Sequence, residues 1–336
     1  MLFDGRVSLL EEKGEHDGPL YRTPESTLRS SPDGKAVGDL LAVQARFPVV
    51  SFQEMRGFGE FYELTAAEVR RRIAERLRQH EGWLNTFRLA FRAPDATAEE
   101  IVTFDNIAAA LSEFQHSQTF VDTPWRDYVK GYPDSLTEKE KAGAVLFFAD
   151  AGQGGYGCAA CHSGDFFTDE NRHVAGLPQL GRGKRADGDD PGAFLVTQEQ
   201  EDLYRFRTPS LLNVEVTGPW GHSGAFSSLE ALVRYHANPQ AGIDRFDFSL
   251  SHLDQLALAD GAYEQARALT AKAVERASDA LPHRSPGEEE VEQLVAFLEA
   301  LTDPCVESRD CLQPWIANYT DDLRWPDVAA LVRSIR

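Results

Sequence analysis

Cys158-Ala159-Ala160-Cys161-His162 is the stretch on which the reading of this 336-residue chain turns. Two cysteines two residues apart set both sulfurs on one side of a single turn, and the histidine that follows projects its imidazole past them. At this spacing two thiols can add to the vinyl groups of one haem while the adjacent histidine reaches the iron. The run predicts one covalent c-type haem with His162 as proximal ligand. A bare Cys-x-x-Cys would also serve a redox dithiol or half of a zinc site. The trailing histidine and the lack of a second such pair in the sequence argue against both.

On either side of the motif the pattern is helical. Thr137-Glu138-Lys139-Glu140 reads as a capping box that opens a helix running through Phe148, one short glycine-rich loop before the first cysteine. Glu288 to Leu301 carries Val291, Leu294, Val295, Leu298 and Leu301 on one stripe, as expected of a terminal helix packed across the helix that precedes a haem motif. Residues 136–303 are therefore expected to form one cytochrome c-like unit. Upstream, Gly131 to Leu136 reads as a linker. Thr65 to Phe91 reads as helix, with Thr65 and Glu68 as its capping box and Gly82 as a candidate break, and Ile101 to Phe120 as a second amphipathic helix. Residues 1–135 are accordingly expected to be a helical first domain, and the fold class to be all-α. Gly176 to Pro191 reads as a surface loop, and residues 304–336, with Trp315 and Trp325, as a tail packing back on the body.

Composition restricts the partners. Against 34 basic residues stand 54 acidic ones, a formal charge of −20 that repels nucleic acid and anionic membrane surfaces and would suit a cationic redox partner. No run of about 18 apolar residues exists, so no membrane span is predicted. The remaining cysteines, Cys305 and Cys311, read as a small-loop disulfide in an oxidising compartment, with two free buried thiols as the alternative. The chain opens Met1-Leu2-Phe3-Asp4-Gly5-Arg6 without the charged start and apolar stretch of a signal peptide. Covalent haem and a disulfide nevertheless set the expected location in the periplasm.

A c-type haem that carries electrons usually has a second axial ligand, commonly methionine, yet Met1 and Met55 both precede the motif. The candidates after it are His173, His222, His236, His252 and His283, with Tyr204 and Tyr235 as weaker options. His236 ends a segment striped by Leu229, Leu232 and Val233, which would hold it rigidly over a haem face.

Three further runs carry a resemblance: Phe206-Arg207-Thr208-Pro209-Ser210-Leu211-Leu212-Asn213-Val214, Thr217-Gly218-Pro219-Trp220-Gly221-His222-Ser223-Gly224, and Ser228-Leu229-Glu230. Together with Phe3-Asp4-Gly5-Arg6, Gln53-Glu54-Met55 and Thr103-Phe104-Asp105-Asn106-Ile107-Ala108, they resemble the bacterial di-haem cytochrome c peroxidase family, including its MauG-like methylamine-utilisation branch. The resemblance covers nearly the whole chain. It implies two helical cytochrome c-like domains, a peroxidatic haem in the first and an electron-transfer haem in the second. Glu54 matches the family's acidic residue beside the peroxidatic haem, where a carboxyl group can take a proton from one peroxide oxygen and return it to the other. The family's distal ligand to the second haem lies about fourteen residues beyond the histidine that matches His222, which lands on His236. Thr217 and Pro219 match positions whose backbone carbonyls hold a calcium ion between the haems.

Three departures stand out. The sequence has no first Cys-x-x-Cys-His, so the first domain is expected to be incomplete at its N terminus. The asparagine that completes the calcium site would likewise precede Met1. Phe3 stands where relatives keep a tryptophan between the haems, and Lys13 near where they keep a glutamine beside the peroxide. The resemblance thus implies a periplasmic haem c peroxidase-type oxidoreductase that reduces hydrogen peroxide or uses it to oxidise a partner protein. One haem is expected to be covalent here and a second in a full-length form, with a small redox protein or an oxidisable protein as partner and a homodimer allowed. The alternative is a mono-haem electron-transfer protein with a degenerate first domain.

Overall fold

The computed structural model describes residues 3–11, 18–27, 31–52, 54–180, 188–249, 265–277 and 281–316. It is predominantly helical, and its contacts divide it into two compact units. The first is Val7–Thr119 with Leu312–Arg336, and the second is Leu2–Arg6 with Phe120–Cys311.

The first unit contains an antiparallel pair, β1 (Ser8–Glu11) with β2 (Leu20–Arg22), and the helices α1 (Leu40–Ala45), α2 (Ala66–Arg78), α3 (Glu81–Ala90), α4 (Ala98–Ile101) and α5 (Phe104–Ser117). Thr65 caps α2 through the expected capping box with Glu68. The helix expected over Thr65–Phe91 is broken two residues ahead of Gly82, because His80 adopts an extended ψ of 115° and starts α3 anew. The helix expected from Ile101 is also broken. Thr103 is extended and caps α5 by accepting from Asn106 N at 3.2 Å, while Asn106 Nδ2 donates back to Ile101 O at 2.7 Å. Two small apolar clusters hold this unit, one around Ala45, Phe104 and Ala108 and one around Phe87, Ile101 and Val102. Trp315 Nε1 donates to Ser117 Oγ at 2.9 Å, so that part of the tail packs on α5. Trp325 lies outside the described residues.

The second unit contains α6 (Pro124–Val129), α7 (Glu138–Phe148), β3 (Arg172–His173), α8 (Phe194–Thr197), β4 (Phe206–Arg207), α9 (Leu229–His236), α10 (Pro239–Arg245), α11 (Ala266–Glu275) and α12 (Glu288–Glu299), with β3 antiparallel to β4. The short strands qualify the all-α expectation only locally. As predicted, Thr137 and Glu140 form the capping box of α7, and α12 packs across it. Gly143 permits that crossing: a Cβ there would stand 1.9 Å from Gln293 O and 2.9 Å from Phe297 Cβ. Around the crossing lie Phe147, Phe167, Phe297 and Trp125 in mutual ring contact, with Val291, Leu294, Leu298 and Leu301 filling the rest.

The division between units falls at Thr119/Phe120, ahead of the expected 135/136. The reason is local: Trp125 N donates to Ala300 O at 3.1 Å, Asp122 N donates to Asp303 Oδ2 at 2.9 Å, and the Trp125 ring meets Phe297 edge-on at 5.1 Å. These tie the supposed linker region into the second core, where Leu136 is itself buried. Cys305 and Cys311 are bridged, with Cα atoms 5.3 Å apart.

Candidate haem site

Gly157, at φ +60°, turns the chain out of the loop after α7 into a single 3-10 turn, Cys158–Ala160. That turn sets Cys158, Cys161 and His162 on one wall of a cavity of about 360 Å³, a size usual for small-molecule and cofactor sites. The lining is mainly apolar: Phe147, Leu211, Leu229, Leu232, Leu294 and Leu298 among others. Helix α9, capped by Ser228, delivers His236 from its last turn to the same cavity. His222, Thr217 and Pro219 line it too.

Each imidazole is placed differently. His162 Nδ1 donates to Phe167 O at 3.1 Å, which fixes the tautomer and leaves Nε2 as the lone-pair nitrogen for a metal. Desolvation keeps His162 below its ordinary pKa. His236 is held near 4, first by desolvation and then by the charge of His162, so the two rings are near enough to disfavour a second proton. His222 is also held near 4, but by desolvation alone; its ring stacks on Phe206 with centroids 3.9 Å apart. The Nδ1 atoms of His222 and His236 are buried without a hydrogen-bond partner.

The other candidates are engaged elsewhere or stand apart. His173 Nε2 pairs with Asp169 Oδ2 at 2.7 Å, Tyr235 donates its hydroxyl to Gly176 O at 2.8 Å, and His283 is exposed. Tyr204 is buried in the cavity wall. His252 and Lys13 lie outside the described residues. Glu54 is an exposed turn residue of the first unit and is not part of this cavity, and Met55 beside it is 70% exposed.

The thiols carry their own information. Burial pushes Cys158 up to about 12, and burial followed by the Asp169 charge raises Cys161. A reactive redox dithiol needs the opposite shift. Cys161, Asp169 and His173 offer ligand atoms within 4.8 Å of one another, but Asp169 and His173 already bond each other. A haem fits the donor set better: two thiols, a preset imidazole and a second unprotonated imidazole around one apolar cavity.

Residues 2–134 match the family model described as di-haem cytochrome c peroxidase. The methylamine utilization protein MauG of Methylorubrum extorquens is 33% identical over 207 residues, covering 61% of this chain and 50% of its own. The cytochrome c551 peroxidase of Pseudomonas aeruginosa is 28% identical over 231 residues, covering 69% and 60%. The chain is similar to the di-haem cytochrome c peroxidases. It spans about half to three-fifths of the length of these curated relatives. Among solved structures, a MauG-like protein associated with microbial copper homeostasis superposes with a TM-score of 0.58 at 24% identity, over 82% of this chain and 73% of that one. The diheme peroxidase BthA from Burkholderia thailandensis superposes with a TM-score of 0.53 at 23% identity, over 89% and 69%. At that identity the two structures support the shared fold alone.

The sequence reading quoted Arg207 and Phe3 within the runs that carry the resemblance but gave Arg207 no role. Arg207 stands at the cavity, donating to both carboxylate oxygens of Glu170 at 3.1 and 2.9 Å, and its backbone N donates to Phe3 O at 2.9 Å. Phe3 itself lines the cavity, and Gly5, at φ +67°, leaves room for the Arg172 guanidinium, which a Cβ would meet at 2.4 Å. Arg207 sits in a run that the family resemblance singled out and Arg172 in none, and one charged residue in a 26% charged sequence carries no signal of its own.

Proposed function

We propose that this chain is a periplasmic haem c oxidoreductase of the peroxidase type, in which a haem held in the second unit relays electrons during the reduction of hydrogen peroxide or the peroxide-driven oxidation of a partner protein. The observation that carries the reading is the pair of unprotonated imidazoles, His162 and His236, facing one apolar cavity that also presents Cys158 and Cys161.

Cys158 and Cys161 would hold the haem covalently, and His162 and His236 would be its axial ligands. When bound, the haem supplies one-electron redox chemistry. The protein's part is to fix the rings and keep water out. Phe167 O orients His162 through Nδ1, α9 brings in His236 as a neutral donor, and the Leu and Phe lining lowers the local dielectric. Two histidine nitrogens would set a potential below that of His/Met relatives. Thr217 and Pro219 remain proposed calcium donors through their backbone carbonyls. Glu54 is the proposed acid/base, taking a proton from one peroxide oxygen at its carboxylate and returning it to the other. A cationic redox protein or an oxidisable protein would suit the −20 charge as partner.

The single Cys-x-x-Cys-His motif favours a second reading, a mono-haem electron-transfer protein. Peroxide turnover by the protein purified from its host separates the two. Glu54→Gln keeps the size of the side chain but cannot exchange the proton, so turnover should fall roughly 10²-fold with the haem spectrum unchanged. Wild-type turnover in that variant would refute the peroxidatic role and leave the electron carrier.

A further inference from the structure

One wall of the cavity carries a polar triad that haem attachment does not require. Tyr156, two residues ahead of Cys158, lines the cavity and is 1% exposed. Its hydroxyl donates to Glu290 Oε2 at 2.9 Å. Arg284 lies over the same ring, 4.2 Å from its centroid, and donates from Nη1 to the two oxygens of Glu290 at 2.7 and 2.9 Å. The Glu290 carboxylate also receives Gly287 N at 2.9 Å, which anchors it at the start of α12.

A phenylalanine would fill the Tyr156 site equally well, so packing alone does not explain a phenol there. The phenol is unlike its apolar neighbours in having a proton acceptor at bonding distance, and that acceptor is not sealed in. Glu290 keeps 29% of its side chain accessible. A proton passed to Glu290 thus has a way to solvent. We propose that Tyr156 is a redox-active tyrosine, giving one electron to the haem of this cavity and its hydroxyl proton to Glu290. The proposal rests on the haem reading above.

The step balances as follows. The Tyr156 O–H bond breaks, the proton bonds to Glu290 Oε2, and the electron would leave by way of the relay haem that Cys158, Cys161, His162 and His236 would hold, toward the oxidising equivalents that peroxide supplies, leaving a neutral phenoxyl radical. Reduction of one peroxide to two waters takes up two electrons and two protons. Tyr156 supplies one electron, a redox protein donor supplies the other, and both protons come from solvent. That donor then re-reduces the radical, and the proton returns from Glu290. Burial first, and the hydrogen bond to Glu290 second, keep the phenol protonated at physiological pH, so electron and proton have to leave together. The Arg284 charge over the ring opposes a cation radical and makes proton loss obligatory.

The test uses the haem-loaded chain, with covalent haem quantified by its pyridine spectrum. The protein is oxidised by flash-generated ruthenium(III) tris-bipyridine, freeze-quenched, and read by electron paramagnetic resonance with and without ring-deuterated tyrosine. The wild type should give a tyrosyl signal that narrows on deuteration, and Tyr156→Phe, at equal haem content, should reduce it at least about tenfold. Glu290→Gln keeps a hydrogen-bond acceptor but takes no proton, and should slow radical formation by roughly 10²-fold. A merely structural triad predicts no such slowing. An undiminished tyrosyl signal in Tyr156→Phe overturns the proposal. A chain that carries no covalent haem overturns the underlying haem assignment instead, and the pyridine spectrum reveals this before oxidant is added.

Discussion

Gly143→Ala tests the helix crossing that carries the haem loop. Intrinsic propensity alone would make this change stabilising, by about 1 kcal/mol in a helix interior. The structure reverses the sign. The new Cβ would stand 1.9 Å from Gln293 O and 2.6 Å from its carbonyl carbon, both backbone atoms of α12 that no rotamer change can move. Restoring ordinary contact, about 3.5 Å between heavy atoms, requires α7 and α12 to part by more than an ångström. A radial gap of that order forfeits up to roughly half of each dispersion contact it opens, here among Phe147, Val291, Leu294 and Phe297. Overpacking of a close-packed core costs roughly 1–3 kcal/mol, and a backbone obstacle puts this case at the upper end. After the propensity gain, a net loss of roughly 2 kcal/mol is expected, or about 4–8 °C in Tm for a unit of this size. Urea and thermal melts followed at 222 nm would measure it, with Gly152→Ala as control, since a Cβ there meets nothing within 4 Å. A Gly143→Ala variant as stable as the Gly152→Ala control would refute the reasoning, because the crossing would then not depend on a bare backbone.

His236→Ala should abolish the low-spin signal of a haem with two nitrogen ligands while leaving covalent haem intact, by electron paramagnetic resonance and the pyridine spectrum. Retention of the wild-type signal would transfer the ligand role, with His222 next in line. Acid stability should depend on Glu290. Burial would raise its pKa, but hydrogen bonds from Gly287, Arg284 and Tyr156 outweigh that and hold it below 4.5. With the folded value lowered, its stabilisation is full above the unfolded value and is lost as pH falls through the folded one. Glu290→Gln should therefore flatten the acid limb of the stability curve below about pH 4.5, and an unchanged limb would count against the Arg284–Glu290–Tyr156 triad.

Legibility in the sequence followed how local each feature is. The capping boxes at Thr65 and Thr137 and the apolar stripe of α12 were readable because each is set by residues within one or two turns. The breaks at His80 and Thr103 were not. Each depends on one residue adopting an extended backbone, which periodicity cannot see when apolar residues continue on both sides. The place where the units divide rests on contacts that local sequence does not show. Gly131 and Pro133 look like a linker, but the preceding segment is fixed by contacts of Asp122 and Trp125 with residues 297 to 303, far away in sequence.

The site divides in the same way. The haem loop is contiguous, so five residues announced it, whereas the opposite face depends on which histidine a helix happens to carry to the cavity. By residue type the sequence left His173, His222, His236, His252 and His283 open, with Tyr204 and Tyr235 as weaker options, and the family resemblance pointed to His236; among the described residues the structure pairs His173 with a carboxylate, leaves His283 exposed and places His222 and His236 at the cavity. Between His222 and His236 the surroundings differ. His236 is depressed by the charge of His162 as well as by burial, whereas His222 answers to burial alone and lies flat against Phe206. The His222 ring has one face covered by Phe206 at 3.9 Å, while His236 sits in the last turn of a capped helix at the same cavity as His162. On that contrast His236 is the proposed ligand to test first, with His222 as the alternative.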